Sequence, residues 1–540
     1  MRLFQNKIIL RLFSIAAIAS LSQLFSGVFQ EAHAATRTWD GGGSNSNWTN
    51  PTNWISDVAP VAGDDLIFPL GSANLSPFNN FAAGTVFNSI TLTGTNYFLD
   101  GARIALNAGI TATNTTVANI VAIPLTLHSN QSIVTGNAGV NLTLGGDIDT
   151  NGKELTFAGN GMAQVPGIIS GTGGLIKAGS GTVSLYSSNT FSGAVQILQS
   201  SLSIYHGNAL GSTNGNTTVA VGATLTLVNP ITVPEPFVLS GNFIAAQLGK
   251  ILTGPITLET NINMTITAGA GMTINSVISG PGGLAIVSSG NLTLNSNNIY
   301  TGSTTFSGGG LIVNGNQPGS AISFLSGFLS GTGAVGTIIA SSNPGKSISP
   351  GTSPGILTCS NVTLNLQTTF QAELNGTALG SQYDQLNVNG TVTISNSSLF
   401  VTSTGLALSG GEQFVIIKND GVDAINGTFG GYPEGTNVGV GSYQLKITYV
   451  GGDGNDVVIY YPVNPPAQFT AIAALTNGFK KIDGLGLSNL IYTIQAVPNL
   501  NPIITWTNLG TATANSSGIF SFTDTNAALL PMRFYRARSP

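Results

Sequence analysis

Few residues of this chain are equipped for chemistry. His128 and His206 are the histidines outside the N-terminal leader, and Cys359 is the only cysteine. Each histidine sits where a strand pattern gives way to a turn (LTLHSN, SIYHGN), with no cysteine or second histidine close in sequence. Zinc sites gather three or four such ligands, so neither a zinc site nor a disulfide framework is expected. Carboxylates offer two places to look. Asp64 and Asp65 are adjacent, and paired carboxylates can share acid–base work. Neighbours on a strand point to opposite faces, however, which favours a solvated or turn-bonded pair. Gly451-Gly452-Asp453-Gly454-Asn455-Asp456-Val457-Val458-Ile459 fits the calcium-binding nonapeptide G-G-x-G-x-D-x-U-x. Asp453 and Asp456 would then be ligands. Calcium takes six to eight oxygens, which that motif supplies between consecutive copies, and the chain has a single copy. A Gly-Asp hairpin turn between KITYV and VVIYY is the other reading.

A further group could bind without reacting. Trp39, Trp48 and Trp54 stand among Gly, Asn and Pro in the first block after the leader. Exposed indoles can stack on sugars; in a repeat protein they can instead plug the open end of the first coil. The glycine-rich corners lack the Lys-Ser/Thr and helix of a phosphate loop. Acidic residues are scattered, which argues against hydrolase or lyase chemistry. No cofactor is expected.

The elements that carry these residues read as short strands. From Val86 to about Ile339, segments such as SITLTG, TVSLYS, INMTITAG and NLTLNS alternate apolar residues with Thr or Ser and end near Gly, Asn or Ser. Alternation sends one set of side chains inward. Charged residues are 7% of the 540, and there are 71 glycines, against an ordinary charged share of roughly 25%. Solubility therefore rests on Ser, Thr and Asn. Beyond Ala34 there are 13 basic and 20 acidic residues, so nucleic acid is not expected as a partner. Long helical patterns are missing. Stacked coils of an all-β solenoid fit best.

Two windows, Ser170–Ile204 and Ser279–Val313, align without a gap, Ser170 falling on Ser279 and Ile204 on Val313. Their inward sets would be Val183, Leu185, Val195, Ile197, Leu202 and Ile204, and Leu292, Leu294, Thr304, Phe306, Leu311 and Val313. Glycine would supply positive φ at the corners. Gly171-Thr172-Gly173-Gly174-Leu175-Ile176-Lys177-Ala178-Gly179-Ser180-Gly181-Thr182 and Asn189-Thr190-Phe191-Ser192-Gly193 resemble the autotransporter-associated β-strand repeat. The second copy departs at Ile286, where the lysine would be, and at Ser288. The resemblance implies a right-handed parallel β-helix of the passenger kind, a surface or secreted scaffold without catalytic residues. Self-exporting members carry a C-terminal membrane barrel. The stretch after Tyr461 is too short for one, so self-translocation is not expected.

The domain reading follows. Residues 1–34 form a signal peptide, with a basic n-region, an apolar h-region and Ala32-His33-Ala34 before cleavage after Ala34. No later segment is apolar enough for a transmembrane helix. Residues 35–339 form the β-helix with its N-terminal cap. Residues 340–461 hold longer strands, expected as a terminal β-helix and cap that covers the open end. Residues 462–466 are a proline-rich linker. Residues 467–540 form a small β-sandwich-like module, resembling C-terminal modules of large secreted Verrucomicrobia and Planctomycetes proteins; YTIQAV, ITWTNLG, GIFSFTD and MRFYRAR are its strands. Arg533, Arg536 and Arg538 cluster there, as a docking signal or as charge protection of a last strand. The expected function is a non-catalytic, adhesin-like scaffold, secreted or on the cell surface, with surface glycans or other cell-surface proteins as partners. The alternative is a carbohydrate-binding or polysaccharide-active β-helix.

Overall fold

A computed structural model describes residues 35–539, apart from 115–116, 140, 248, 268, 422, 464–465, 501–504 and 530–531. The signal segment expected at residues 1–34 and its expected cleavage after Ala34 lie outside the described residues. The fold is all-β, and its parallel coils stack into a solenoid of about 14 turns. The chain divides into two compact units. One runs to Leu329 and takes in Gly333–Lys346; the other comprises Ser330–Thr332 and Ser347–Pro540.

In the first unit, one ladder runs through Leu155–Gly159, Leu175–Lys177, Val195–Ile197, Thr217–Val219, Phe237–Leu239, Ile256–Leu258 and Ile278–Ser279, each parallel to the next. The register Leu155, Leu175, Val195, Thr217, Phe237, Ile256, Ile278 advances by one coil at each step, and the steps are nearly even. A second ladder carries Met162–Val165, Val183–Leu185, Ser201–Ile204 and Thr224–Leu227. The two repeat windows fold alike. Leu175 pairs with Val195 and Val183 with Leu202; Leu284 pairs with Thr304 and Leu292 with Leu311. Each window therefore holds strands of two successive coils lying on each other.

All twelve residues expected to point inward are at most 3% exposed. Burying each Leu, Ile, Val or Phe is worth roughly 1.5–3 kcal/mol. The motif asparagines are buried too. Asn189 accepts from the Ile169 amide at 2.8 Å and donates to the Ala209 carbonyl at 2.6 Å, joining three coils. Asn298 accepts from Ile278 at 2.9 Å and donates to Gln317 Oε1 at 3.2 Å.

The glycines need a different account from the expected one. Gly171 and Gly179 do adopt positive φ, but Gly173, Gly181 and Gly193 do not. A Cβ on Gly173 would stand 1.8 Å from the Lys153 carbonyl oxygen, and one on Gly181 would stand 1.9 Å from that of Gly161. These positions are glycine because successive coils approach closely there.

In the second unit the coils lengthen. Ile356 pairs with Gln385, Val362 with Val392 and Thr369 with Ser398, each a longer step along the chain than Leu175 to Val195. Gln413–Lys418 is the last parallel strand of its sheet, pairing with Gln385–Val388 on one side. On its other side Asp456–Tyr460, Tyr443–Gly451 and Asn437–Val440 continue antiparallel. The C-terminal residues form two three-stranded antiparallel sheets. One holds Gln468–Ala474, Lys480–Leu485 and Ile519–Asp524; the other holds Thr507–Thr513, Ile491–Val497 and Phe534–Arg538. Ile482, Tyr492, Ile494, Ala512, Ala514 and Phe520 form their shared core.

Candidate functional site

The three tryptophans are all fully buried. Trp39 meets Trp54 edge-on at 5.2 Å, Trp54 packs on Phe68 at 6.0 Å, and Trp48 on Phe87 at 5.7 Å. Trp39 donates its indole N–H to Asn74 O at 2.7 Å and Trp54 to Trp48 O at 2.8 Å. Thr36–Thr38, just before them, pairs with Asp65–Phe68 as the first strand of its sheet. Of the two readings of Trp39, Trp48 and Trp54, the possible sugar contact is corrected: no indole face is open to a ligand, because the rings are buried among one another and Phe68 and Phe87.

Asp64 and Asp65 diverge. Asp64 is buried, ion-paired to Arg37 at 2.9 Å, and accepts from the Ala35 and Val61 amides at 3.1 and 3.0 Å. Asp65 accepts from Asn88 at 2.8 Å and from the Ser89 hydroxyl. Each is engaged by its own separate neighbours, so they do not act as a pair. His128 and His206 are exposed. Cys359 is buried, and burial pushes its thiol up to about 12, so it is inert core. Among the described residues no group of three or more His, Cys, Asp or Glu side chains is gathered for a metal.

Sequence reasoning missed one pattern. Gly351-Thr352-Ser353-Pro354-Gly355 has the letters G-x-S-x-G of a nucleophile elbow. That motif needs a strand-to-helix turn and a base. Here a strand, Ile356–Cys359, follows, and Ser353 Oγ donates to Glu373 Oε1 at 2.6 Å. Asp384, buried, accepts from the Gly355 and Glu373 amides at 2.7 and 2.9 Å. Burial, with the Glu373 charge as the minor cause, raises Asp384 to about 6. The cluster ties down the corner.

Asp453 and Asp456 lie at the turn joining Tyr443–Gly451 to Asp456–Tyr460. Asp453 is exposed; Asp456 is buried and accepts from the Asn419 amide at 2.8 Å. Arg533 pairs with Asp524 at 2.6 Å, and Arg536 bonds Gln495 at 2.7 Å while lying 4.4 Å over the Trp506 ring. Both arginines hold their own module together.

The first unit presents periodic polar ladders outward, among exposed apolar side chains such as Val221 and Ile299. Ser184, Ser203 and Thr226 stand in register on three coils. Asn295 donates to Asn275 at 2.8 Å and Asn314 to Asn295 at 2.9 Å, an amide ladder. Tyr186 and Tyr205 stack at 4.3 Å. Among the described residues of this unit three lysines, Lys177, Lys250 and Lys346, are buried instead. Lys177 donates to the carbonyls of Ala178, Gly179 and Gln199 at 3.2, 2.9 and 3.1 Å, and Lys250 to that of Val228 at 3.0 Å.

No family model matches the chain, and no solved structure matches it. A stretch of 283 residues is 27% identical to the Adhesin BmaC autotransporter of Brucella suis biovar 1 (strain 1330). It is 52% of this chain and 7% of that adhesin, so the chain spans a small part of the relative. Likeness and fold agree on an autotransporter-like β-helical passenger. No helix of the described residues is long and apolar enough to cross a membrane.

Proposed function

We propose that this chain is a non-catalytic, adhesin-like scaffold, secreted or displayed at the cell surface, of the passenger type resembled by Verrucomicrobia and Planctomycetes proteins. The observation that carries the reading is the parallel stack of coils with a charge-poor, Ser/Thr/Asn-rich outer face, in a chain similar to an adhesin passenger. A stacked solenoid gives a long rigid surface on which each coil repeats the same outward positions. Such a surface suits many weak contacts summed by multivalency. Surface glycans or other cell-surface proteins are the partners such chemistry favours. With the tryptophans buried, binding falls to the outer ladders.

Fractionating cells and medium with an antibody to the mature chain tests location; the chain is expected in the medium or outer surface fraction. Deleting the gene is expected to reduce attachment of cells to a glycan-coated surface, with purified chain competing. Retention in the cytoplasm, or unchanged attachment, would overturn the reading.

A further inference from the structure

The hairpin turn at Gly451–Asp456 packs against the loop that follows Gln413–Lys418. Asp456 Oδ1 accepts from the Asn419 amide at 2.8 Å. A Cβ on Gly421 would lie 3.0 Å from Asp453 Oδ2, so that carboxylate sits against the loop. The Nδ2 groups of Asn419 and Asn455 both donate to one carbonyl, Asp423 O, at 2.8 Å each. Loop and turn together bring the Asp453 and Asp456 carboxylates near one cation, Lys418.

Two atoms in this corner have no counterpart among the described residues. Asn419 is 1% exposed and Asn455 is 7% exposed, and the Oδ1 of each is buried without a hydrogen-bond donor. A buried, unpaired amide oxygen costs about 1–3 kcal/mol. Turning either amide over would not help. It would set an oxygen against the Asp423 carbonyl and leave the NH2 group buried instead. Two orphan amide oxygens, their Nδ2 groups anchored on one carbonyl and two carboxylates on the same turn, offer lone pairs to a cation.

We propose that this corner binds one calcium ion, with the Oδ1 atoms of Asn419 and Asn455 and the carboxylates of Asp453 and Asp456 as side-chain ligands. All the ligands are oxygens, without Cys or His, which selects a hard cation. Uncharged amide oxygens and an irregular loop suit the large, flexible shell of calcium better than the strict octahedron of magnesium. The ligands come from a loop facing a single motif copy, so no tandem repeat is needed. With two carboxylates the site belongs to the weak extracellular range, a Kd of about 0.1–1 mM. The inference does not rest on the adhesion reading, and either can fail alone.

The test is calorimetric titration of the full mature chain with CaCl2, with MgCl2 as control, alongside thermal melts. The expected result is one calcium site in that range, a melting transition raised by calcium, and a much smaller effect of magnesium. Asp453→Asn, at an exposed turn position, is expected to weaken calcium binding at least about tenfold while leaving the calcium-free melt unchanged. Asp456→Asn is expected to abolish binding; should it misfold, Asp453→Asn carries the test. No binding heat and no melting shift up to about 10 mM calcium overturns the proposal. So does calcium binding that Asp453→Asn leaves unchanged.

Discussion

The two repeat windows fold on the same register yet fill it differently. Phe191 and Val195 are an apolar pair, both fully buried; their counterparts are Tyr300 and Thr304, buried as well. Tyr300 OH meets Thr304 Oγ1 at 2.6 Å, and Thr304 Oγ1 meets Ser320 Oγ at 2.9 Å. Lys177 is matched by Ile286, and both are buried. Outside, the Tyr186–Tyr205 stack is matched by Asn295 and Asn314 of the amide ladder. What does not vary is the coil-to-coil contact. Gly173 and Gly282, Gly181 and Gly290, and Gly193 and Gly302 all stand where a Cβ would come within 2.5 Å of the preceding coil's backbone. Backbone spacing is thus the invariant of the repeat, and side-chain chemistry is free to change if it changes in matched sets.

The largest effects should come from breaking that invariant. Gly173→Ala and Gly282→Ala place a Cβ 1.8 and 2.0 Å from the carbonyl oxygens of Lys153 and Thr260. Each is expected to cost about 3 kcal/mol or more, equally in both copies, by urea denaturation. Gly222→Ala is the control: its φ is 80° with nothing within 4 Å, so only about 1 kcal/mol of backbone strain is expected. Equal costs at Gly173 and Gly222 would refute close approach as the cause.

Lys177 separates the copies next. Burial pushes its ammonium down to about 8. Between that value and the ordinary 10.5 the unfolded chain binds the extra proton, so stability rises with pH across this window. Below about 8 the full cost of the buried charge is present. Lys177→Met should remove this rise, on the order of 1–3 kcal/mol, relative to the parent chain. Ile286→Met in the second copy should leave the pH profile unchanged. Parallel profiles for the parent and Lys177→Met would show that Lys177 stays charged throughout.

Much of this architecture is legible in the alternation of the sequence. The inward sets of both windows are visible in it, and so is the change of pattern near Ala340, beyond which the coils lengthen from the Leu175–Val195 step to the Ile356–Gln385 step. Other features depend on distances between coils, which no local pattern encodes. Gly173 reads as a flexible corner until Lys153 O is found against it. Nothing in the local pattern marks Lys177 as buried, since lysine rarely is; its three carbonyl acceptors come from the fold. In the C-terminal module Lys480–Leu485 escapes notice because KKIDGL is poor in β-formers, although its pairing supplies Ile482 to the core. At the candidate calcium corner the sequence gives Asp453 and Asp456, but Asn419 enters from across the hairpin, from well before it in the chain, as a tertiary contact.

The polar pair of the second copy should show its logic in a double-mutant cycle. Tyr300→Phe takes one of its two hydroxyl partners from buried Thr304, and Thr304→Val takes the Thr304 hydroxyl from both Tyr300 and Ser320; each should cost about 1–2 kcal/mol. The double variant recreates the Phe–Val pair of the first copy. Only Ser320 is then left to relax, so it should cost less than the sum by about 1 kcal/mol. Strict additivity would mean that the two copies do not exchange chemistry as sets.

The smallest effect belongs to the outer face. Tyr186 is 36% exposed, so its stack with Tyr205 works partly in water. Such an aromatic pair adds about 0.5–1.5 kcal/mol, and exposure places this one at the low end. Replacing both tyrosines by asparagine copies the second window and substitutes an amide ladder for the stack. A ladder bond nets about 0.5–1.5 kcal/mol when shielded and less in solvent, so the double variant should melt within about 0.5 kcal/mol of the parent chain. Hydrogen exchange at Val183–Leu185 and Ser201–Ile204, the strands beneath, checks whether protection holds. Loss of more than about 1 kcal/mol there would mean that the stack clamps its coils, and that outer positions are part of the frame rather than a surface free to vary.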